Sequence, residues 1–97
     1  QTRVYCAALD EEARPEIQAL TYELRKAGIS AECDTAGRSL KAQMRTAGTC
    51  DFACIVGEAE RESNTVAVKD MRDSSQVNVA LNGIVKYLLE KLQPEKL

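Results

Sequence analysis

Three short apolar runs, separated by two segments of helical period, constrain the fold of this 97-residue chain more than any other feature. The runs are RVYCAAL at 3–9, ISAEC at 29–33 and DFACIVG at 51–57. The first and third runs are nearly continuous, as expected for strands that are buried on both faces. The second run places Ile29, Ala31 and Cys33 on one face of a strand. Short joints between strand, helix and strand predict parallel βαβ units with right-handed crossovers. The sequence therefore indicates a β-α-β-α-β order over its first 57 residues.

The second part of the chain predicts a hairpin and a closing helix. Residues 65–71 alternate between apolar and polar, residues 72–75 are rich in turn formers, and residues 76–79 alternate again. Residues 58–64 are polar and acidic without a period, which predicts a loop. Apolar residues at helical spacing from Leu81 to Leu92 predict a last helix that ends before Pro94. The predicted fold class is α/β, a three-layer arrangement of a mixed five-stranded sheet and three helices in the order βαβαββα. We expect one domain over residues 1–93 and a frayed tail over residues 94–97.

A cationic segment follows the second predicted strand. If the helix begins at Arg38, then Arg38, Lys41 and Arg45 share one stripe of its surface. No acidic residue occurs between positions 35 and 50, although the whole chain carries a net charge of −2. A cationic helix face behind a glycine turn suits a partner that carries phosphates. The competing interpretation is the solvated face of an ordinary surface helix.

Composition excludes several other classes of function. The four cysteines lie in or beside apolar runs, which is typical of small buried side chains in a reducing compartment. Cys50 and Cys54 are the closest pair, but a zinc site needs four ligands and the chain has no histidine. We therefore predict no metal site and no histidine-dependent catalytic dyad. No apolar run approaches the roughly 20 residues of a membrane span. The start at Gln1, immediately before a strand, suggests either a domain of a longer protein or a processed terminus.

Six segments carry a resemblance to a known family. They are LDEEAR at 9–14, ELRKAGI at 23–29, GRSLKAQM at 37–44, FACIVGE at 52–58, TVAVKDM at 65–71 and VKYLLE at 85–90. In this order they resemble the anticodon-binding domain of class II aminoacyl-tRNA synthetases, and within that group the C-terminal domain of histidyl-tRNA synthetase. The resemblance covers about nine-tenths of the chain, and no single segment is diagnostic by itself.

The resemblance implies a site and a partner. In such domains the anticodon loop of tRNA is bound by the turn after the second strand and by a basic residue on the fourth. These positions correspond to Gly37, Arg38 and Lys69. Arg38 and Lys41 are expected to contact phosphate or base, and Lys69 a base edge or phosphate. Because Gly37 has no Cβ, its backbone can approach a base closely.

The same resemblance implies the rest of the protein. The chain itself is expected to contain no catalytic residue and no cofactor. A parent enzyme would be an ATP-dependent histidine–tRNA ligase, a cytoplasmic homodimer with ATP and Mg²⁺ in a separate catalytic domain. No membrane partner is expected.

Two alternatives remain open at this point. A synthetase-derived regulatory or protein-interaction domain is favoured by the net negative charge and by a joint at residues 46–51 about two residues shorter than is common in the family. Few aromatic side chains remain to stack bases, since Tyr5 and Phe52 are expected inside.

A flavodoxin-like protein with a reactive cysteine is the other alternative, although acidic residues 10–12 replace the glycine-rich phosphate loop that such proteins place after the first strand.

Overall fold

The structure, a computed structural model, describes residues 1–93. Its strands are β1 Val4–Ala8, β2 Ala31–Cys33, β3 Phe52–Val56, β4 Thr65–Asp70 and β5 Gln76–Ala80. Its helices are α1 Arg14–Lys26, α2 Leu40–Ala47, α3 Glu58–Ser63 and α4 Ile84–Leu92, with 3₁₀ turns at Glu11–Ala13 and Leu81–Gly83. The tail predicted at residues 94–97 lies outside the described residues.

The five strands form one mixed sheet in the order β2-β1-β3-β4-β5. Strand β1 is parallel to both β2 and β3, whereas β4 is antiparallel to β3 and to β5. Helices α1 and α4 contribute to a core on one side of the sheet, and α2 packs on the other. The predicted α/β class, the mixed five-stranded sheet and the three layers are confirmed.

The sheet face under α1 and α4, here called the α1/α4 face, holds the larger core. Large aliphatic side chains of the two helices pack on alternate residues of the strands, and the phenyl ring of Phe52 joins them. The buried members of this cluster are Val4, Cys6, Ala13, Ile17, Leu20, Leu24, Ile29, Ala31, Phe52, Cys54, Val56, Val66, Val68, Ile84 and Leu88. Burial of apolar area on this scale is the main driving force for folding.

The opposite face, here called the α2 face, has a much smaller core. Its buried members are Tyr5, Ala7, Ala47, Cys50 and Ala53, with Met44, Ile55 and Met71 packed at their edges. Helix α2 lies mainly over β1. The sequence expectation that Tyr5 and Phe52 are internal is confirmed, and the two rings lie on opposite faces.

The predicted loop at residues 58–64 is wrong, because these residues form helix α3. The backbone N–H of Gly57 donates to the Glu60 carboxylate at 2.7 Å, and Asn64 ends the helix in the left-handed conformation with φ of 56°. Since α3 has only six residues, it is too short for an apolar period to appear in the sequence. The structure thus has four α-helices in residues 1–93, where three were predicted.

The predicted start of the cationic helix is also wrong. Ser39 has an extended backbone, and its hydroxyl accepts a hydrogen bond from the N–H of Ala42 at 3.2 Å. This N-cap makes Leu40 the first helical residue and leaves Arg38 in the preceding turn. Arg38 therefore does not share a helical stripe with Lys41 and Arg45.

Candidate RNA-binding site

The turn between β2 and α2 is built around the carboxylate of Asp34. Its Oδ2 accepts from the backbone N–H of Arg38 at 2.9 Å, and its Oδ1 accepts from Nε of the same residue at 2.8 Å. The hydrogen bond from Arg38 lowers the pKa of Asp34 below its ordinary value, and backbone N–H groups of the turn add to this effect. Gly37 has φ of +72°, a left-handed conformation that glycine adopts without strain. Hydrogen bonds within the turn therefore fix its conformation without a ligand.

The guanidinium of Arg38 joins this turn to β1 and α2. Nη1 donates to the hydroxyl of Thr46 at 3.1 Å, and Nη2 donates to the phenol oxygen of Tyr5 at 3.0 Å. Burial of Tyr5 raises the pKa of its phenol, so that this oxygen stays protonated and accepts through its lone pairs. Arg38 was predicted to contact RNA, but three of its five N–H groups are used within the domain. Two N–H groups remain, and the side chain is 42% exposed.

Lys41 and Arg45 lie on the exposed side of α2. Within residues 1–93 neither of them forms an ion pair, and the segment from 35 to 50 has no carboxylate to offer one. The ion pair of Arg38 with Asp34 neutralises the nearest acid at the start of the turn. The surface of α2 is therefore positively charged in a chain of net negative charge.

Lys69 lies on the same face of the sheet as this corner. The strand register aligns Glu32, Tyr5, Ala53, Lys69 and Gln76 in one row across the five strands, and residues in one row project to one side. Tyr5, which contacts Arg38, and Lys69 are thus both on the α2 face. Lys69 is half-buried and has no ion pair among the described residues.

The corner and Lys69 are on one face but are not in contact. Three strand spacings of about 4.8 Å separate β2 from β4, so they lie roughly 14 Å apart across the sheet. Gly37 follows the carboxyl end of β2, whereas Lys69 is level with Tyr5 near the amino end of β1. Helix α2 lies between them. A single ligand that touches both must extend past α2.

A cleft of about 270 Å³ opens beside the turn, at the carboxyl ends of β1 and β2. It separates the start of α1 from the start of α2. Its lining residues are Ala8, Leu9, Asp10, Glu11, Arg14, Gln18, Asp34, Gly37, Arg38, Leu40 and Gln43. Of the predicted site residues, Gly37 and Arg38 line it. The sequence argument did not assign the others, although the rule that ligands collect at the carboxyl ends of parallel strands indicates this edge.

No cysteine is among the residues that line this cleft. All four are free, and Cys6, Cys50 and Cys54 are buried. The hydrogen bond with Cys6 and burial raise the pKa of the Cys54 thiol well above its ordinary value, and burial raises the pKa of Cys50. The nucleophilic form of cysteine is the thiolate, so these two thiols are unreactive. No group of three or more potential metal ligands occurs in residues 1–93.

Comparison with known protein families gives a direct assignment. A family model described as "Anticodon binding domain" matches residues 3–91. The chain belongs to the anticodon-binding domain family. The fold and the family that the sequence motifs suggested are thereby confirmed.

Two relatives of this anticodon-binding domain carry the same name. A histidine–tRNA ligase of Pelotomaculum thermopropionicum is 43% identical over 95 residues, which is 96% of this chain and 22% of the relative. A histidine–tRNA ligase of Symbiobacterium thermophilum is 44% identical over 87 residues, 88% of this chain and 20% of the relative. The chain thus spans about a fifth of the length of these relatives. These names do not favour the regulatory alternative.

Solved structures agree with this assignment. The crystal structure of apo histidyl-tRNA synthetase from S. aureus has a TM-score of 0.82 at 27% identity, covering 90% of this chain and 23% of that one. Histidyl-tRNA synthetase from Nostoc sp. PCC 7120 has a TM-score of 0.85 at 24% identity, covering 95% and 23%, and shows the shared fold. No helix of this anticodon-binding domain, within residues 1–93, is long and apolar enough to cross a membrane.

Proposed function

We propose that this chain is the tRNA anticodon-binding domain of a histidyl-tRNA synthetase, and that it binds the anticodon loop on its α2 face. The observation that carries the proposal is the set of cations on that face, Lys41, Arg45 and Lys69, which have no acidic partner among residues 1–93. Phosphate neutralisation by such side chains supplies most of the affinity of proteins for nucleic acids. The family assignment supports RNA as the source of those phosphates.

The turn at Gly37 supports base contact next to these cations. Its backbone is fixed by the hydrogen bonds between Asp34 and Arg38, so little conformational entropy is lost when a ligand binds. The two N–H groups that Arg38 does not use inside the domain are free to meet a phosphate or a base edge. Because an RNA loop presents splayed bases on a bent backbone, it is able to follow the surface from this turn past α2 to Lys69.

In the whole protein, we place this domain beside a catalytic domain that binds ATP and Mg²⁺ and attaches histidine to tRNA. The whole enzyme would be a cytoplasmic homodimer. The chain described here would contribute tRNA position and anticodon recognition, and none of the groups that perform the chemistry.

A binding assay with matched variants tests the proposal. Fluorescence anisotropy would compare an anticodon stem-loop from tRNA of histidine specificity with a copy that carries a different anticodon. Lys41→Ala and Lys69→Ala should each weaken binding and reduce the slope of log affinity against log salt by about 0.7, the value for one phosphate contact on a single strand. Lys86→Ala removes the same charge from the exposed side of α4, the helix that packs against the opposite face of the sheet. It should change neither the affinity for RNA nor the salt dependence of that affinity.

Two outcomes would overturn the proposal. Equal affinity for the two anticodons would show that the domain does not recognise the anticodon bases. An equal effect of Lys69→Ala and Lys86→Ala would show that the α2 face is not the RNA surface.

A further inference from the structure

We infer that Cys33 and Cys6 form a reversible disulfide between β2 and β1 when the domain meets a hydroperoxide. The two residues lie on the α1/α4 face of the sheet, opposite to the proposed RNA surface. The inference rests on a row of three thiols across neighbouring strands, on the exposure of one of them, and on the position of that one at the end of an edge strand.

The strand register places three cysteines side by side. Cys33 of β2 is level with Cys6 of β1, and Cys6 is level with Cys54 of β3. Residues in one row project to the same side of a sheet. Cys6 and Cys54 are buried members of the core on the α1/α4 face, and Cys33 packs against that core. Cys6 therefore has a thiol neighbour on each side.

The spacing of neighbouring strands suits a disulfide. It is about 4.8 Å, which falls within the Cα–Cα range of roughly 4.4–6.8 Å that disulfides span. The Cβ atoms of a disulfide are closer, at roughly 3.5–4.5 Å, so the two strands must approach each other slightly at the bridge. The pair that forms should therefore include a residue on a strand that is able to shift.

Cys33 lies on the less constrained of the two neighbouring strands. β2 has three residues, it is at the edge of the sheet, and Cys33 is its last residue. β3 has five residues, all of them paired with β1, and it lies between β1 and β4. Cys54 is the third of these five, so its backbone is held on both sides. The bridge from Cys6 to Cys33 thus needs less rearrangement than the bridge from Cys6 to Cys54.

Access to solvent also favours Cys33. Its side chain is half-buried, whereas Cys6 and Cys54 are fully buried. A hydroperoxide in solution can therefore reach Cys33 before the other two. Cys54 is disfavoured further, because the hydrogen bond with Cys6 raises the pKa of its thiol well above the ordinary value and only the thiolate is a nucleophile.

Cys6 is placed to act as the second thiol. The hydrogen bond with Cys54 lowers the pKa of the Cys6 thiol, and the charge of Arg25 on α1 acts in the same direction, against the effect of burial. Nε of Arg25 donates to the carbonyl of Ala31 at 2.7 Å, which holds this guanidinium beside β2. A thiolate at Cys6 thus has a thiol donor on one side and a cation nearby.

The proposed chemistry has two steps. The Cys33 thiolate attacks one oxygen of hydrogen peroxide, the O–O bond breaks, and the products are a sulfenic acid and hydroxide, which takes up a proton to become water. The Cys6 thiolate then attacks the sulfur of that sulfenic acid, so that an S–S bond forms, the S–O bond breaks and a second water leaves. The two sulfurs lose two electrons in all, and the peroxide gains them. An added dithiol reverses the reaction by thiol–disulfide exchange.

The bridge would lie next to the turn between β2 and α2. Cys6 follows Tyr5 in the chain, and Cys33 precedes Asp34. Tyr5 and Asp34 are already joined on the other face through hydrogen bonds with Arg38. A disulfide would therefore tie together the same two segments that Arg38 connects.

Mass spectrometry of the full chain tests the pair. Hydrogen peroxide should lower the mass of the wild type by about 2 Da, the two hydrogens lost in one disulfide, and dithiothreitol should restore it. Trypsin cleaves after lysine and arginine, and it places Cys6, Cys33 and Cys54 on three different peptides. The map of the oxidised chain should show the peptide of Cys33 linked to that of Cys6. Cys33→Ser should abolish the link.

Three further variants sharpen the assignment. Cys50→Ser is the matched control, because Cys50 lies in the core of the α2 face, and it should leave the link unchanged. Cys54→Ala should still form the link, but more slowly, because the hydrogen bond with Cys6 is gone. In Cys6→Ala, oxidation should stop at the sulfenic acid of Cys33, which dimedone traps. If Cys6→Ala does not fold, the peptide maps of the wild type and of Cys54→Ala still decide.

Three outcomes would overturn the inference. The first is a link between Cys6 and Cys54 in place of the link to Cys33. The second is a dimer joined through Cys33, which a non-reducing gel shows. The third is an oxidised wild type in which no two peptides are linked. None of these results bears on RNA binding, and a failure of RNA binding would not affect the pair, because neither step of the chemistry uses RNA.

Discussion

The two faces of the sheet differ in what they bury and in what they expose. The α1/α4 face has fifteen buried residues in its cluster, most of them large and aliphatic, whereas the α2 face has five, of which only Tyr5 is large. The α2 face instead has exposed cations on its helix and a braced turn at its edge. Burial of apolar area on one side therefore holds the sheet together, and the other side is left to bind.

This division means that stability and RNA binding should respond to different residues. Substitutions under α1 and α4 are expected to lower the free energy of unfolding and to leave the affinity of the folded fraction unchanged. Substitutions of the exposed cations on the α2 face are expected to lower the affinity for RNA and to leave the free energy of unfolding nearly unchanged. The predictions below test that contrast, beginning with the largest effect.

Leu24→Ala should produce the largest loss of stability. Leu24 is fully buried in α1, and its truncation leaves a cavity, with an expected cost of about 2–5 kcal/mol in free energy of unfolding. Met44→Ala is the counterpart on the α2 face, where Met44 is half-buried, and it should cost less. Urea denaturation measures both. A cost at Met44 equal to that at Leu24 would contradict the asymmetry between the faces.

Gly57→Ala should have the next largest effect, because the added Cβ meets the side chain of Leu9. Crowding of this kind costs about 1–3 kcal/mol. Gly57 has an extended backbone with φ of −134°, so no strain in its own conformation adds to this. Thermal melting gives the stability, and the methyl shifts of Leu9 report its displacement. Unchanged Leu9 resonances would show that the contact does not position this side chain.

Tyr5→Phe should cost less, about 0.5–1.5 kcal/mol, because it removes one hydrogen bond and keeps the ring in the core. The loss should be accompanied by greater mobility of the Arg38 guanidinium, which NMR relaxation of its Nε–H measures. Tyr22→Phe is the control, since Tyr22 is exposed on α1. Equal effects of the two substitutions would show that the phenol of Tyr5 does not brace the turn.

The contribution of Asp34 should depend on pH. Its pKa is lowered in the folded chain by the hydrogen bond from Arg38, so its stabilising effect is complete above the ordinary carboxyl pKa of about 3.9. The effect is lost as the pH falls through the lowered pKa. Wild type should therefore exceed Asp34→Asn in urea midpoint at neutral pH, and the two midpoints should converge in acid. A difference independent of pH would exclude this carboxylate as its source.

Arg45→Gln should have the smallest effect on stability, within about 0.5 kcal/mol, since the side chain is exposed and has no ion pair among residues 1–93. The affinity of the Arg45→Gln variant for an anticodon stem-loop should nevertheless be lower than that of the wild type. Chemical denaturation and anisotropy give the two values on one preparation. A stability loss as large as that of Tyr5→Phe would contradict the separation of the two properties.

The sequence predicts the scaffold well and the turn poorly. The strands and the long helices follow from apolar period, which is a local property that burial enforces. Helix α3 was missed because its six residues make fewer than two turns and contain a single apolar residue, Ala59, so that no apolar position repeats. The start of α2 was misplaced because the Ser39 cap sets the first helical residue, whatever the pattern of cations. The partners of Arg38 at positions 5 and 46 are remote in sequence, so no local rule identifies them.

The proposed site residues differ in the same way: local patterns predict the positions of some, and the positions of others depend on contacts remote in sequence. The alternation of β4 predicts that Lys69 lies on the other face of the sheet from Val66 and Val68, and the strand register confirms this. The rule for parallel strands indicates the edge of the sheet where the cleft opens. The full lining was not predicted, because Leu9 and Leu40 belong to segments that meet only after the sheet has formed. The RNA contacts of Gly37, Arg38, Lys41 and Lys69 stay predictions for the binding experiments.

The forked guanidinium of Arg38 limits which residue can replace it at this edge of the domain. A planar group with five hydrogens serves Asp34, Tyr5 and Thr46 in three directions at once. Lysine keeps the charge but concentrates it at one ammonium on a flexible stem, so it cannot occupy the three directions together. Replacement of Arg38 by lysine therefore leaves at least one of these three acceptors without its donor.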